Sequence, residues 1–223
     1  MDANTHDRSM FEYYNNRAPV YDVAYDFVRF PQYEAPVMEV VHAAQQTLKG
    51  RRVLEVACGT GFWTQHLADA AAHVTATDAT PRTVEFAQQK LAGRAAVQFV
   101  LSSAYELTGV PADHDAAFHM RWFSHVPRSR YAEFFETLHS RIGSGSVVFC
   151  GDDVIQPHLK DTCYKKPGCE DNWQRRKLPD GSTYEIIKNH FTADELRAVF
   201  SAIGSDLQVQ SNEYFWWVTY KAL

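Results

Sequence analysis

The sequence predicts an α/β fold in three layers, α/β/α, built on a mostly parallel sheet. Two observations predict it. Strand-like and helix-like segments alternate from residue 51 onward, the pattern of successive strand–helix–strand units. The first of those strands also runs directly into the turn Ala57-Cys58-Gly59-Thr60-Gly61 and then into a helical stretch. That arrangement sets a ligand site at the carboxyl edge of a parallel sheet.

Length and composition bound the rest. The chain has 223 residues, 45% hydrophobic and 22% charged, enough for one domain with a proper core. No run approaches the roughly 18 apolar residues that span a bilayer, and the N-terminal residues are polar, so a cytoplasmic protein is expected. The net charge is −5, and the basic clusters are short, which argues against nucleic acid as a partner. Membrane is likewise not an expected partner, and the chain is expected to act as a monomer or homodimer. The four cysteines, Cys58, Cys150, Cys163 and Cys169, form no C-x-x-C pair, so no metal site is expected.

The elements follow in order. Residues 1–50 read as a helical cap rich in Tyr, Phe and Val. Residues 52–57 form a buried strand, 62–70 a helix, and 73–78 a second strand. Residues 81–91 form a second helix, with Pro81 suited to its first turn. Strands follow at 97–101, 115–120 and 145–150. The helix at 130–142 carries Tyr131, Phe134, Phe135, Leu138 and Ile142 at helical spacing. Residues 154–190 interrupt the alternation as a lid insertion with a Pro179-Asp180-Gly181 turn. Thr192 and Glu195 then form a capping box, and residues 207–210 and 214–220 close the sheet. Period-2 alternation puts Trp216 and Trp217 on opposite faces, both in packing roles. The chain thus divides into a cap (1–50), a ligand-binding core (51–153), a lid (154–190) and a closing segment (191–223), all of one domain.

The chemistry concentrates at the first turn. Its glycines let backbone approach a ligand, and the helix N-terminus beside them offers free N–H groups to an anion. Nineteen positions beyond Gly59, the second strand ends in Asp78, where a carboxylate can accept two ribose hydroxyls. A dinucleotide site would need a third glycine where Thr64 stands, and Glu55, four residues before Gly59, would repel a pyrophosphate. The same acid can engage a cationic amino-acid group.

At these residues the sequence resembles the class I S-adenosylmethionine (SAM)-dependent methyltransferases of small-molecule type, over residues 10–220. Ala57 replaces the first glycine of that family's leading motif. The resemblance implies a Rossmann-like seven-stranded sheet with one antiparallel strand, and SAM as cofactor, leaving S-adenosylhomocysteine (SAH). It assigns Glu55, Ala57, Cys58, Gly59, Gly61 and Trp63 to the cofactor turn, and Asp78 with Ala79 to the ribose. Ser103 and Ala104 stand where the family faces adenine, with the usual Asp absent. Met120 and Arg121 border the sulfonium. Tyr13, Tyr14, Arg17 and Tyr21 resemble a cap that closes over the cofactor.

For the acceptor, an expected small molecule, His125 is the candidate general base if one is needed; a half-buried helix-capping role is the alternative. Trp122, His158, Trp173, Arg175, Lys188 and His190 are candidate acceptor contacts. Arg175, Arg176 and Lys188 suit an acidic acceptor, because guanidinium pairs well with carboxylate. The alternatives are a non-catalytic SAM-binding module, a methyltransferase acting on protein or RNA and, from another class, a nicotinamide oxidoreductase.

Overall fold

The computed structural model describes residues 3–156 and 162–223, with side chains from residue 7 onward. The cap comprises helix α1 (Ala3–Arg17), a 3-10 turn over Ala18–Tyr25 and helix α2 (Glu34–Leu48). The core then alternates: β1 (Arg52–Val56), α3 (Phe62–Leu67), β2 (His73–Asp78), α4 (Pro81–Lys90), β3 (Val97–Leu101) and β4 (Ala116–Met120). Helix α5 (Tyr131–Ile142) and β5 (Val147–Asp153) complete it. The lid is β6 (Cys163–Lys165), β7 (Asn172–Lys177) and β8 (Thr183–Ile187), and the chain ends with α6 (Ala193–Ser201), β9 (Gly204–Ser211) and β10 (Phe215–Ala222).

The main sheet has seven strands in the order β3-β2-β1-β4-β5-β10-β9. β1 to β5 pair in parallel, and β10 is antiparallel to both β5 and β9. This is the Rossmann-like sheet that the resemblance implied, with its order reversing beside β1. The expected hairpin is part of a separate three-stranded antiparallel sheet, β6-β7-β8, which packs against α1 through Met10, Tyr13, Leu178 and Ile186. Cap and lid therefore share one small core.

Strand alternation sorts the main core into two layers. Leu54, Ala117, Val148 and Trp216 pack with Phe134, Leu138 and Phe200 on one face. Their neighbours Val53, Phe118, Phe149 and Trp217 pack with Val37, Val41, Phe62 and Trp63 on the other. A side-chain period of two produces this split. The capping box at Thr192 forms as expected, with Glu195 N–H donating to Thr192 Oγ1 at 3.2 Å and Thr192 N–H donating to Glu195 Oε2 at 2.8 Å. Strand β5 extends three residues beyond the expected end, to Asp153. Among the described residues the cysteines form no disulfide. Among the described residues no helix is long and apolar enough to cross a membrane.

Candidate active site

The turn after β1 is held in left-handed backbone at Ala57 (φ +56°), Gly59 (φ +56°) and Gly61 (φ +81°). Gly59 N–H donates to Asp78 Oδ2 at 2.9 Å, tying the turn to the end of β2. The other oxygen of Asp78 accepts from Thr80 N–H at 2.9 Å and from the hydroxyls of Thr80 (2.7 Å) and Thr83 (2.9 Å). Asp78 is thereby fixed, and Oδ2 retains capacity to accept from a ligand. The two glycines differ in purpose. A Cβ on Gly59 would lie 3.6 Å from the Tyr21 ring of the cap. A Cβ on Gly61 would come within 2.8 Å of Leu91 and 3.1 Å of Ala87, so that glycine lets α3 pack on the segment around α4.

Above this turn lies a cavity of about 550 Å³ whose wall includes Gly59, Asp78, Thr80, Ser102, Ser103 and Tyr105. That size suits a cofactor. The cap forms its roof and is tethered by Asp22, which accepts from Thr60 Oγ1 at 2.5 Å and pairs with Lys90 at 2.6 Å.

A second cavity of about 320 Å³ adjoins it, walled by cap, lid and the end of β5. Tyr14, Tyr21, Arg121 and His125 line both spaces, so they mark the boundary. His125 Nδ1 lies 2.6 Å from the Ile187 carbonyl. A carbonyl only accepts, so Nδ1 carries the proton and Nε2 accepts from the Tyr14 hydroxyl at 2.8 Å. Burial, reinforced by the Lys188 charge, pushes His125 down to about 3, which keeps it neutral. Burial beside Tyr13 pushes Tyr14 up to about 12.

Beneath the second cavity is a buried ionic cluster. Lys188 Nζ donates to Asp152 (2.7 Å), Asp153 (3.0 Å) and Ser124 Oγ (2.9 Å). Arg121, itself at φ +59°, donates to Asp153 at 2.8 Å. Burial alone would raise both carboxylates, but Lys188, together with Arg121 at Asp153, outweighs it and lowers them. The two cations and two carboxylates balance.

Most of the residues expected from sequence meet here. Tyr14, Tyr21, Ala57, Gly59, Asp78, Ala79, Ser103, Ala104, Arg121, Trp122 and His125 line the first cavity, and Arg17, Lys188 and His190 the second. Others lie elsewhere. Glu55 points into the interior, 1% exposed, and burial with Asp78 nearby pushes it up to about 8; it is off the cavity wall because the alternation of β1 turns it beneath α3. Cys58 and Met120 are buried outside both walls, and Trp63 donates to Tyr25 within the core. Tyr13 belongs to the core between cap and lid. Trp173 lies under Lys166 in the lid sheet, and Arg175 pairs with Glu185 on its exposed outer side. His158 lies outside the described residues. The sequence reading missed Thr80, Thr83 and Ser102. The spacing Asp78-x-Thr80-x-x-Thr83, a turn-and-cap pattern, could have revealed the first two.

An α/β domain with a fixed acid at the end of β2, a tight turn after β1 and a roofed cavity between them has the features of a nucleoside-cofactor-binding fold. Residues 53–145 match the family described as "Methyltransferase domain". The chain is 32% identical over 128 residues to a ubiquinone biosynthesis O-methyltransferase of Methylocella silvestris, a match covering 57% of this chain and 48% of that protein. The chain thus spans about half the length of the curated relative. It also superposes on the structure of a DhpI–SAH complex with a TM-score of 0.79 at 28% identity, covering 99% of this chain and 98% of that one. A Burkholderia thailandensis 1,6-didemethyltoxoflavin-N1-methyltransferase shares the fold at a TM-score of 0.65 and 16% identity, over 100% of this chain and 91% of that one. The domain match over residues 53–145 and the superposition on the SAH complex together support a class I SAM-dependent methyltransferase.

Proposed function

We propose that the chain transfers a methyl group from SAM to an oxygen, nitrogen or sulfur atom of a small molecule, leaving SAH. The observation that carries this reading is the shared wall: the cavity holding Asp78 and the cavity of the lid meet at Tyr14, Tyr21, Arg121 and His125. A cofactor in the first space and an acceptor in the second would react there.

The cofactor supplies a methyl group already activated on a sulfonium, so the protein's tasks are alignment and exclusion of water. Asp78 would accept the ribose hydroxyls, and Ser102 and Ser103 would face the adenine. Tyr14 and Tyr21 would close over the methionine end, and Arg17, which lines the second cavity beside Tyr21, would pair its carboxylate where the two spaces meet. Arg17 is set for this, stacked 4.7 Å over the Tyr21 ring. If the acceptor must lose a proton, the Tyr14 hydroxyl and His125 Nε2, 2.8 Å apart, form the path for it. The acidic net charge supports a small molecule over nucleic acid as acceptor.

The test is calorimetric titration of the protein with SAM, SAH and NADH, repeated on Asp78→Ala. SAM and SAH should bind and NADH should not. The variant should lose about 10- to 150-fold in affinity, since a hydrogen bond to a charged group contributes about 1.5–3 kcal/mol. Binding of NADH in place of SAM and SAH would overturn the reading in favour of an oxidoreductase.

A further inference from the structure

Four cations line the second cavity: Arg17, Arg121, Arg176 and Lys188. Arg121 and Lys188 are neutralised by Asp153 and Asp152. Arg17 and Arg176 form no ion pair with a carboxylate among the described residues. A bound SAM carries one carboxylate, which the reading above gives to Arg17. One guanidinium, Arg176, is then left over in a partly closed space.

Its surroundings are prepared for a polar ligand. Arg176 Nε is buried with no hydrogen-bond partner, and so are Gln174 Oε1 and His190 Nδ1, all three belonging to residues of the same wall. Three orphaned polar groups around one cavity are unusual, since buried donors and acceptors are normally satisfied. A guanidinium fork matches the oxygens of a carboxylate or phosphoryl group, while Gln174 Oε1 can accept from a hydroxyl or N–H beside it. Strand alternation selects Arg176 for this role: its neighbour Arg175 is turned outward to Glu185.

We infer that the second cavity takes an acceptor bearing an oxyanion group, held by Arg176 of the lid. The inference rests on the assignment of the first cavity to SAM.

The test uses the full chain saturated with SAH. Inorganic phosphate and acetate are titrated separately by calorimetry at constant ionic strength, on wild type, Arg176→Gln and the control Arg175→Gln. Saturable binding of either anion is expected, weakened at least tenfold in Arg176→Gln and unchanged in Arg175→Gln, with SAH affinity within twofold throughout. The tighter of the two anions identifies a phosphoryl or a carboxylate group. Normal SAH binding with no saturable anion binding, or with equal binding in Arg176→Gln, would overturn the oxyanion site and leave the methyltransferase reading intact. Failure of wild type to bind SAH would overturn both.

Discussion

Replacing Lys188 by methionine keeps most of the side-chain volume and removes one buried charge. Lys188 is 5% exposed at its side chain and its partner Asp152 is fully buried. The substitution deletes three hydrogen bonds, to Asp152, Asp153 and Ser124. Asp153 keeps Arg121, but Asp152 is left with only the backbone N–H groups of Ser124 and Asp153. Breaking a buried pair from one side costs about 3–5 kcal/mol, chiefly because the remaining charge stays desolvated. For a domain of this size each kcal/mol moves the melting midpoint by about 2–4 °C, so a fall of about 6–20 °C is expected. Urea denaturation of Lys188→Met, Asp152→Asn and the double variant forms a complete cycle. Because the loss comes from the stranded charge, removing that charge should restore part of it, with a coupling of at least about 1.5 kcal/mol. A loss below about 1 kcal/mol in Lys188→Met, or additivity within about 0.5 kcal/mol, would refute the view that this cluster is a dry, mutually dependent pair.

Two further outcomes concern the turn and the histidines. Ala57 occupies left-handed backbone, at about 1–2 kcal/mol for a residue with a Cβ, while glycine loses about 0.5–1 kcal/mol through chain entropy. Ala57→Gly should therefore raise stability by about 0.5–1 kcal/mol in thermal or urea denaturation, and a loss above that size would show the turn is not strained there. His119 is fully buried, neither ring nitrogen has a partner, and burial pushes it down to about 3. Between that value and the ordinary 6.5 or so the unfolded chain binds a proton that the native state refuses, so stability falls as pH drops, by up to about 1.4 kcal/mol per pH unit. Denaturation at pH 7 and pH 5 should show a shallower fall in His119→Leu than in wild type; equal slopes would place the pH sensitivity elsewhere.

Much of the architecture was determined by local pattern. The parallel core follows from alternating strand and helix periods, the turn from Gly59 and Gly61, the start of α6 from the Thr192–Glu195 box, and the facing of Trp216 and Trp217 from a period of two. The wall of the first cavity was legible for the same reason: Gly59, Asp78 and Ser103 lie at strand ends, and in a parallel sheet those ends gather along one edge. The sequence even offered Arg175, Arg176 and Lys188 as contacts for an acidic acceptor. It did not separate them, because adjacent strand residues face opposite ways and only the pairing of β7 with β8 decides which arginine looks inward. Nor did it show that β5 continues to Asp152 and Asp153, or that Lys188 crosses from the lid, 36 positions along the chain, to neutralise them. Glu55 and Gly61 were read as cofactor contacts from a motif, yet one is turned beneath α3 and the other serves helix packing. Such roles depend on what stands opposite a residue in space, and a linear pattern carries that only where the partner lies within the same element.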